Sequence, residues 1–301
     1  MASANSSIKV VIAALIGNGL IAITKFVAAF ITASSAMLSE AIHSVVDTTN
    51  QGLILLGIKR SAKPADKKHP FGYGMEVYFW SFVVAVLIFA VGAGVALYEG
   101  IHKIMHPEPL QKVYINYIVL GIAIAIESVA WWIAYKEFNA HRGRLSHLQA
   151  VIRSKKAPIF VVLIEDSAAM LGLFIALIGV TISSVYDAPI WDGIASILIA
   201  IVLAVVAIFL AYESKSLLIG EAVDQKDLRK INDILSKQLG DGKVTELLTM
   251  HMGPDDILVN VTLDYKDNVK AGTVEKAVAK AEKALKAEVP EIKRVFIEIQ
   301  S

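Results

Sequence analysis

Apolar residues dominate the first two thirds of this chain in long runs, broken at intervals by short polar stretches. Six runs of about twenty or more mostly apolar residues can be marked off. They lie at about Ile8–Ala33, Ser35–Ile58, Val77–Ile101, Val113–Phe138, Pro158–Ser183 and Pro189–Tyr212. A bilayer core of about 30 Å takes about 20 apolar residues of helix, so each run predicts a membrane span. Past Leu218 the pattern turns charged and alternating. Lys226–Leu239 carries Leu228, Ile231, Ile234 and Leu235 at helical spacing and stops at Gly240-Asp241-Gly242. Val244–Met252 and Ile257–Tyr265 alternate as strands around a Gly-Pro-Asp-Asp turn; Thr273–Ala287 reads as an amphipathic helix and Arg294–Ile299 as a closing strand. The predicted architecture is an all-α membrane bundle of six helices over residues 1–218, then a small α+β domain, αββαβ and ferredoxin-like, over 219–301.

Composition supports that division. The 301 residues are 55% hydrophobic and only 19% charged, and the mean hydropathy is +0.59, well above a soluble domain. A net charge of +1 gives nucleic acid no electrostatic claim on the chain. Cysteine is absent, which removes disulfides, thiolate metal sites and cysteine nucleophiles and leaves His, Asp and Glu as metal ligands. The start, MASANSSIKV, shows neither an Arg-rich transit segment nor a small-residue cleavage site after the first run, so that run is expected to remain as a helix. Basic residues orient the bundle. Lys59, Arg60, Lys63, Lys67 and Lys68 follow the second run, and Arg142, Arg144, Arg153, Lys155 and Lys156 follow the fourth, whereas the opposite loops hold little beyond Lys103 and Lys112. Both termini are therefore expected on the cytoplasmic side, or the matrix side in an organelle.

The polar residues inside the runs carry the chemistry. The stretch SSAMLSEAIHSVVDTTNQ, Ser34–Gln51, holds Glu40, His43, Asp47, Asn50 and Gln51 within the second run. One charged side chain near a bilayer centre costs about 2.5–3.5 kcal/mol on insertion scales, so several together need a bound ion, a proton path or one another. His43 and Asp47 stand four residues apart and share a helix face. An imidazole nitrogen and a carboxylate oxygen so spaced can both reach one Zn²⁺, at about 2.0–2.2 Å each; a His–Asp hydrogen bond in a polar seam is the other reading. The first run contains Lys25, which either snorkels or pairs with an acid of a neighbouring helix. Glu127 in the fourth run is a candidate counter-ion for it, or a proton carrier. In the fifth run Glu165 and Asp166 are adjacent and diverge by about 100° on a helix, so only one can point fully at a shared centre. Ser167, Ala168 and Ala169 after them permit close helix approach. A metal between the second and fifth runs satisfies these acids; a lone protonated acid hydrogen-bonded across the bundle is the alternative.

In these residues the chain resembles the cation diffusion facilitators, six-span transporters of zinc and other transition metals. SEAIHSVVD resembles the family's ligand pair, Asp66-x-x-His69 within DKKHPFGYGMEVYFW resembles its basic loop and the opening of its third span, and the αββαβ domain resembles the part that forms much of its homodimer contact. The SEAIHS-x-x-D and EDSAA wording resembles a branch that includes an animal organellar zinc transporter. The resemblance implies an ion held between the second and fifth spans by His43, Asp47 and Asp166, and exchanged for protons by alternating access. Val162 stands where the family usually has His or Asp, and Glu165 is the candidate replacement. Asp66 and His69 match part of a second, loop-level metal site, with Tyr73 where some members have a further His. In the C-terminal domain His251 is the only histidine, with Glu298 near where a ligand could fall, so a tight cytoplasmic metal sensor is not expected.

The functional expectation is a Zn²⁺/H⁺ antiporter exporting zinc from the cytoplasm. Its partners are a divalent metal ion, protons, the lipid bilayer and a second copy of the chain in a homodimer; it needs no organic cofactor. Mn²⁺, Co²⁺ or Fe²⁺ are alternative cargoes, because selectivity rests on geometry. An intramembrane metalloenzyme lacks support, since neither HExxH nor a nucleophile motif is present. A passive channel would be indifferent to a pH gradient. The expected location is a bacterial inner membrane, with an organellar membrane as the alternative.

Overall fold

The structure, a computed structural model, describes residues 18–142, 146 and 157–300. The predicted first ten residues of the first run, the absence of a leader, and Arg144, Arg153, Lys155 and Lys156 of the orienting charge lie outside the described residues. The chain divides into two compact units. One is drawn from the described residues up to 57, from 80 to 142 and from 157 to 214; the other is drawn from 58–79 and 215–300.

Among the described residues of the first two thirds, helices succeed one another as α1 (Asn18–Thr32), α2 (Ser35–Ser61), α3 (Glu76–Met105), α4 (Val113–Arg142), α5 (Ala157–Val185) and α6 (Ile190–Ile219). Length and hydropathy mark α3 to α6 as able to cross a membrane. The other two predicted spans differ for separate reasons. α1 is described only from Asn18, as a shorter apolar helix. α2 has 27 residues, about 40 Å of helix and ample for a bilayer core, but its polar side chains lower its hydropathy.

The first unit is arranged inside out relative to a protein in water. Phe30, Trp132, Ile178, Val205 and Ile208 are exposed, while Lys25, Glu40, Asn116, Asp192 and Ser196 are buried. Apolar surface on that scale is tolerable only where the surroundings are lipid, which also forces polar groups to find partners inside. Glycine brings the helices together: a Cβ on Gly193 of α6 would lie 2.9 Å from the Gly100 carbonyl oxygen of α3, and one on Gly100 would lie 2.6 Å from Ile197 Cγ1. α3 also loosens to a π-helical stretch at Ile88–Ala93.

The second unit contains α7 (Gln225–Gln238), β1 (Lys243–Gly253), β2 (Asp256–Asp264), α8 (Ala271–Glu288) and β3 (Ile292–Gln300). Asp224 starts α7 by accepting hydrogen bonds from the Lys226 and Asp227 amides, which satisfies two of the helix's orphan donors. Ile231, Ile234 and Leu235 of α7 then pack with Val259, Val261 and Leu263 of β2 and with Leu285 of α8. β1 and β2 form an antiparallel hairpin, and β3 joins β2 in parallel through the α8 crossover. The sheet order is β1-β2-β3, so the expected element order is present, but no strand is inserted between β2 and β3 as a split, ferredoxin-like βαβ would have it.

The α3–α6 crossing has a direct test. Gly100→Ala and Gly193→Ala should each destabilise the detergent-purified chain by about 1–3 kcal/mol through overpacking, read as a lower melting temperature. Gly121→Ala, whose Cβ would meet nothing within 4 Å, should leave it unchanged.

Candidate functional site

α2 buries its polar stripe and exposes its apolar one. Glu40, His43, Ser44 and Asn50 are buried, and Asp47 is half-buried, whereas Val45, Leu55 and Ile58 face outward. The spacing 40, 43, 44, 47, 50 is one helix face. His43 Nδ1 lies 3.4 Å from Asp47 Oδ1, too long and poorly directed for a hydrogen bond. Both ring nitrogens of His43 and Asp47 Oδ1 are buried without a hydrogen-bond partner. Orphaned polar atoms in a water-poor interior are costly, and here they converge on one helical turn.

Lys25 of α1 enters the same region. Its ammonium donates to Glu40 Oε2 at 3.1 Å and to Ser44 Oγ at 2.8 Å. Its hydrogen-bonded acid is thus Glu40, one turn before Ser44, rather than Glu127 of α4. Glu127 is half-buried and close enough to Lys25 and Asp166 to interact electrostatically. The second Glu40 oxygen, Oε1, has no partner and sits where a Cβ on Gly172 of α5 would come within 2.4 Å. Glycine at 172 is what lets α5 lie against that carboxylate.

Of the two adjacent acids on α5, Glu165 is the one turned toward α2. Asn50 Nδ2 donates to Glu165 Oε1 at 2.7 Å, and the Asp47 carboxyl is within hydrogen-bonding range of Glu165 as well. Asp166 is also buried, in electrostatic reach of Glu127 and Glu165. Half-buried Val162 supplies no ligand atom. Among the described residues, no group of three or more His, Asp or Glu is already gathered as a metal cluster. The structure therefore brings together His43, Asp47 and, through Asn50, Glu165, and places Asp166 on the adjoining face. Asn50 was legible as a polar residue in the run, but its role as the tether to α5 depends on facing a particular acid, which no spacing rule reports.

The Asp66–His69 loop is built differently. Asp66 Oδ1 accepts from the Lys68 and His69 amides at 2.9 and 2.7 Å, and Oδ2 accepts from the Tyr73 hydroxyl at 2.7 Å. The His69 ring packs tilted against Tyr73, ring centroids 4.3 Å apart, with Nδ1 3.7 Å from Asp66. Both Asp66 oxygens are thus engaged in shaping the turn. The rest of the motif docks on the hairpin of its own unit. Phe71 gives its carbonyl oxygen to Arg294 Nη2 at 2.9 Å and its ring face to the same guanidinium, which also binds Asp256 through both oxygens at 3.1 and 2.8 Å. Gly74 lies against the Met252 carbonyl, where a Cβ would approach to 2.3 Å. His251 and Glu298, considered together in the sequence, do not meet. His251 pairs with Ile257 and Glu298 with Thr262, five residues along β2, or about 16 Å at strand rise.

The fold and the stripe on α2 define a membrane transporter. The chain belongs to the cation efflux family: residues 11–219 match the model of the cation efflux transmembrane domain. Its relatives are transporters, not enzymes, and it is a multi-pass membrane protein. It is similar to the human "Proton-coupled zinc antiporter SLC30A9, mitochondrial", 31% identical over 263 residues that cover 87% of this chain and 46% of the human protein. The Xenopus laevis protein of the same name is 32% identical over 263 residues, 87% of this chain and 47% of that one. Metal tolerance protein C4 of Arabidopsis thaliana is 28% identical over 259 residues, 85% of this chain and 57% of the plant protein. The chain spans about half the length of these curated relatives.

The loop supplies a pH prediction. The Tyr73 hydroxyl, and after it the His69 amide, hold the Asp66 carboxyl below the usual carboxylate range. A carboxylate depressed on folding stabilises the loop above its unfolded value, about 3.9 for aspartate, and that support is lost as pH falls through the lower folded value. Tyr73→Phe should move the Asp66 titration upward toward about 3.9, as read by NMR of chain carrying labelled aspartate.

Proposed function

We propose that this chain is a secondary-active carrier that exports Zn²⁺ from the cytoplasm in exchange for protons by alternating access. One observation supports this above the others: two nitrogens of His43 and one oxygen of Asp47 are buried without partners on one helical turn, beside an acid held across the helix interface by Asn50. Those atoms are the donor set a borderline-soft divalent ion takes, imidazole nitrogen with carboxylate oxygen. The printed names of the animal relatives, proton-coupled zinc antiporters, support zinc as cargo. Mn²⁺, Co²⁺ and Fe²⁺ rank after it, because an imidazole in the set favours zinc.

In this reading α2 supplies His43 and Asp47, and α5 supplies Glu165, with Asp166 entering as α5 rotates, since adjacent residues diverge by about 100°. His43 must be neutral and the acids ionised to hold the ion. Zinc arrival therefore expels protons, and protonation from the far side expels zinc. Coupling arises at one site without a separate proton channel. Lys25, Glu40 and Glu127 balance charge beside it. We infer that α1 and α2 complete a six-span bundle with both termini on the cytoplasmic side, as the basic residues 59, 60, 63, 67 and 68 require. The C-terminal sheet then serves homodimerisation through apolar contacts, in a bacterial inner membrane or an organellar one, and the Asp66–His69 loop is structural.

Asp47→Ala should abolish zinc-driven proton movement in proteoliposomes, while Asp66→Ala should leave more than about half of it, a loop aspartate contributing only local turn energy. Proton movement unchanged by Asp47→Ala, or zinc flux indifferent to a pH gradient, would reject the carrier assignment.

A further inference from the structure

α2 begins at a tight turn that is clamped from other helices. Ala33, between α1 and α2, has φ of +54°, a backbone geometry that L side chains seldom adopt. Ser34 caps α2: its hydroxyl oxygen accepts from the Met37 amide at 3.1 Å, satisfying one of the helix's orphan donors. The hydroxyl itself donates to Asp192 Oδ1 of α6 at 2.6 Å. Asp192 Oδ2 accepts from the Ser35 amide at 2.6 Å and the Ser35 hydroxyl at 3.1 Å. Asp192 is fully buried and lies in the first turn of α6, so one carboxylate faces two helix N-termini, its own and that of α2. Both dipoles favour a negative charge there. Lys103 of α3 adds a cation nearby and donates to the Ala33 carbonyl at 2.6 Å.

One turn further in, the arrangement repeats. Ser39 of α2 hydrogen-bonds Ser196 of α6, and Ser196 in turn donates to the Ala96 carbonyl of α3 at 2.8 Å. Ser35 and Ser39 are four residues apart, as are Asp192 and Ser196, so the two helices run parallel with rungs that match at about 6 Å of rise. The next residues at the same interval on α2 are His43 and Asp47. A single rung would leave a helix free to turn about its axis; two rungs in register hold both its height and its rotation. The Gly100–Gly193 approach ties α6 to α3, so the rungs hang from a close-packed pair.

We propose that Asp192 and Ser196 are positioning residues for the metal site, holding α2 at the height and rotation that aim His43 and Asp47 toward α5. The proposal rests on the carrier reading above. Neither residue touches the candidate ligands; both act through the backbone of α2. Misplacing metal ligands costs affinity, about ten-fold or more where an orienting contact is lost, so the effect should fall on the KM for zinc and spare kcat.

The test uses the full chain, in proteoliposomes for zinc-driven proton flux and in detergent for the visible absorption of bound Co²⁺. Asp192→Asn, which removes the negative charge facing the two helix N-termini and leaves one acceptor oxygen where Ser34 and Ser35 use two, should raise the zinc KM about ten-fold with kcat retained, and should alter the Co²⁺ bands. Ser39→Ala and Ser196→Ala should each raise KM, and the double variant should be no worse than Ser196→Ala alone, which already loses the Ser39 bond together with its own to Ala96. Should Asp192→Asn fail to fold, the serine variants carry the same readouts. Unchanged KM and Co²⁺ bands in all of them, with flux still abolished by Asp47→Ala, would overturn the positioning role and leave the carrier standing. Activity that falls only in proportion to the loss of monodisperse protein would overturn it too. Flux that survives Asp47→Ala would overturn the carrier reading, and this proposal with it.

Discussion

The first unit is governed by a single constraint: a charge without water beside it must be met by another group or by an ion. In a medium with few competing dipoles, a satisfied polar contact strengthens and an unsatisfied one becomes expensive. The described helices answer that constraint contact by contact. Lys25 meets Glu40 and Ser44, Asn50 meets Glu165, and Asp192 meets the start of α2. Among the buried atoms left without a partner, most in this unit lie on α2, at Glu40, His43, Asp47 and Asn50, with Asn116, Ser183 and Ser214 elsewhere. At His43 and Asp47 the open atoms are both imidazole nitrogens and a carboxylate oxygen, one helical turn apart.

The same constraint explains what could be read without coordinates. Helix positions were legible because a bilayer asks for runs of fixed length: the predicted Val77–Ile101 and Val113–Phe138 fall within the observed Glu76–Met105 and Val113–Arg142. The alternating strands and the α7 pattern were legible for the corresponding reason in water, a one-sided core. His43 and Asp47 were legible as a pair because polar residues four apart in an apolar run share one helix face. The partnerships were not. Lys25 choosing Glu40 over Glu127, and Glu165 facing α2 ahead of Asp166, depend on how helices far apart in the chain are rotated against each other. Periodicity specifies a face but not the neighbour opposite it.

The loop after α2 shows the limit from the other side. Asp-x-x-His gives two ligand types within reach of one ion, yet Asp66 uses both oxygens to close its own turn and the His69 ring packs tilted against Tyr73. Sequence spacing reports reach, and occupancy is decided by competing donors, here two amides and a phenol. In the sheet, register separates His251 and Glu298 along β2. Such outcomes leave α2 and α5 as the place where titratable groups converge with open valences.

The grip of Arg294 on Phe71 spans 223 residues of chain. Phe71 is translated well before its guanidinium partner, with helices α3 to α6 coming between them. Until β3 is made, then, the segment joining α2 to α3 lacks the strand it finally rests on. A residue translated late thus completes a joint begun much earlier, so the finished state of that joint reports that the helices between the two have been made.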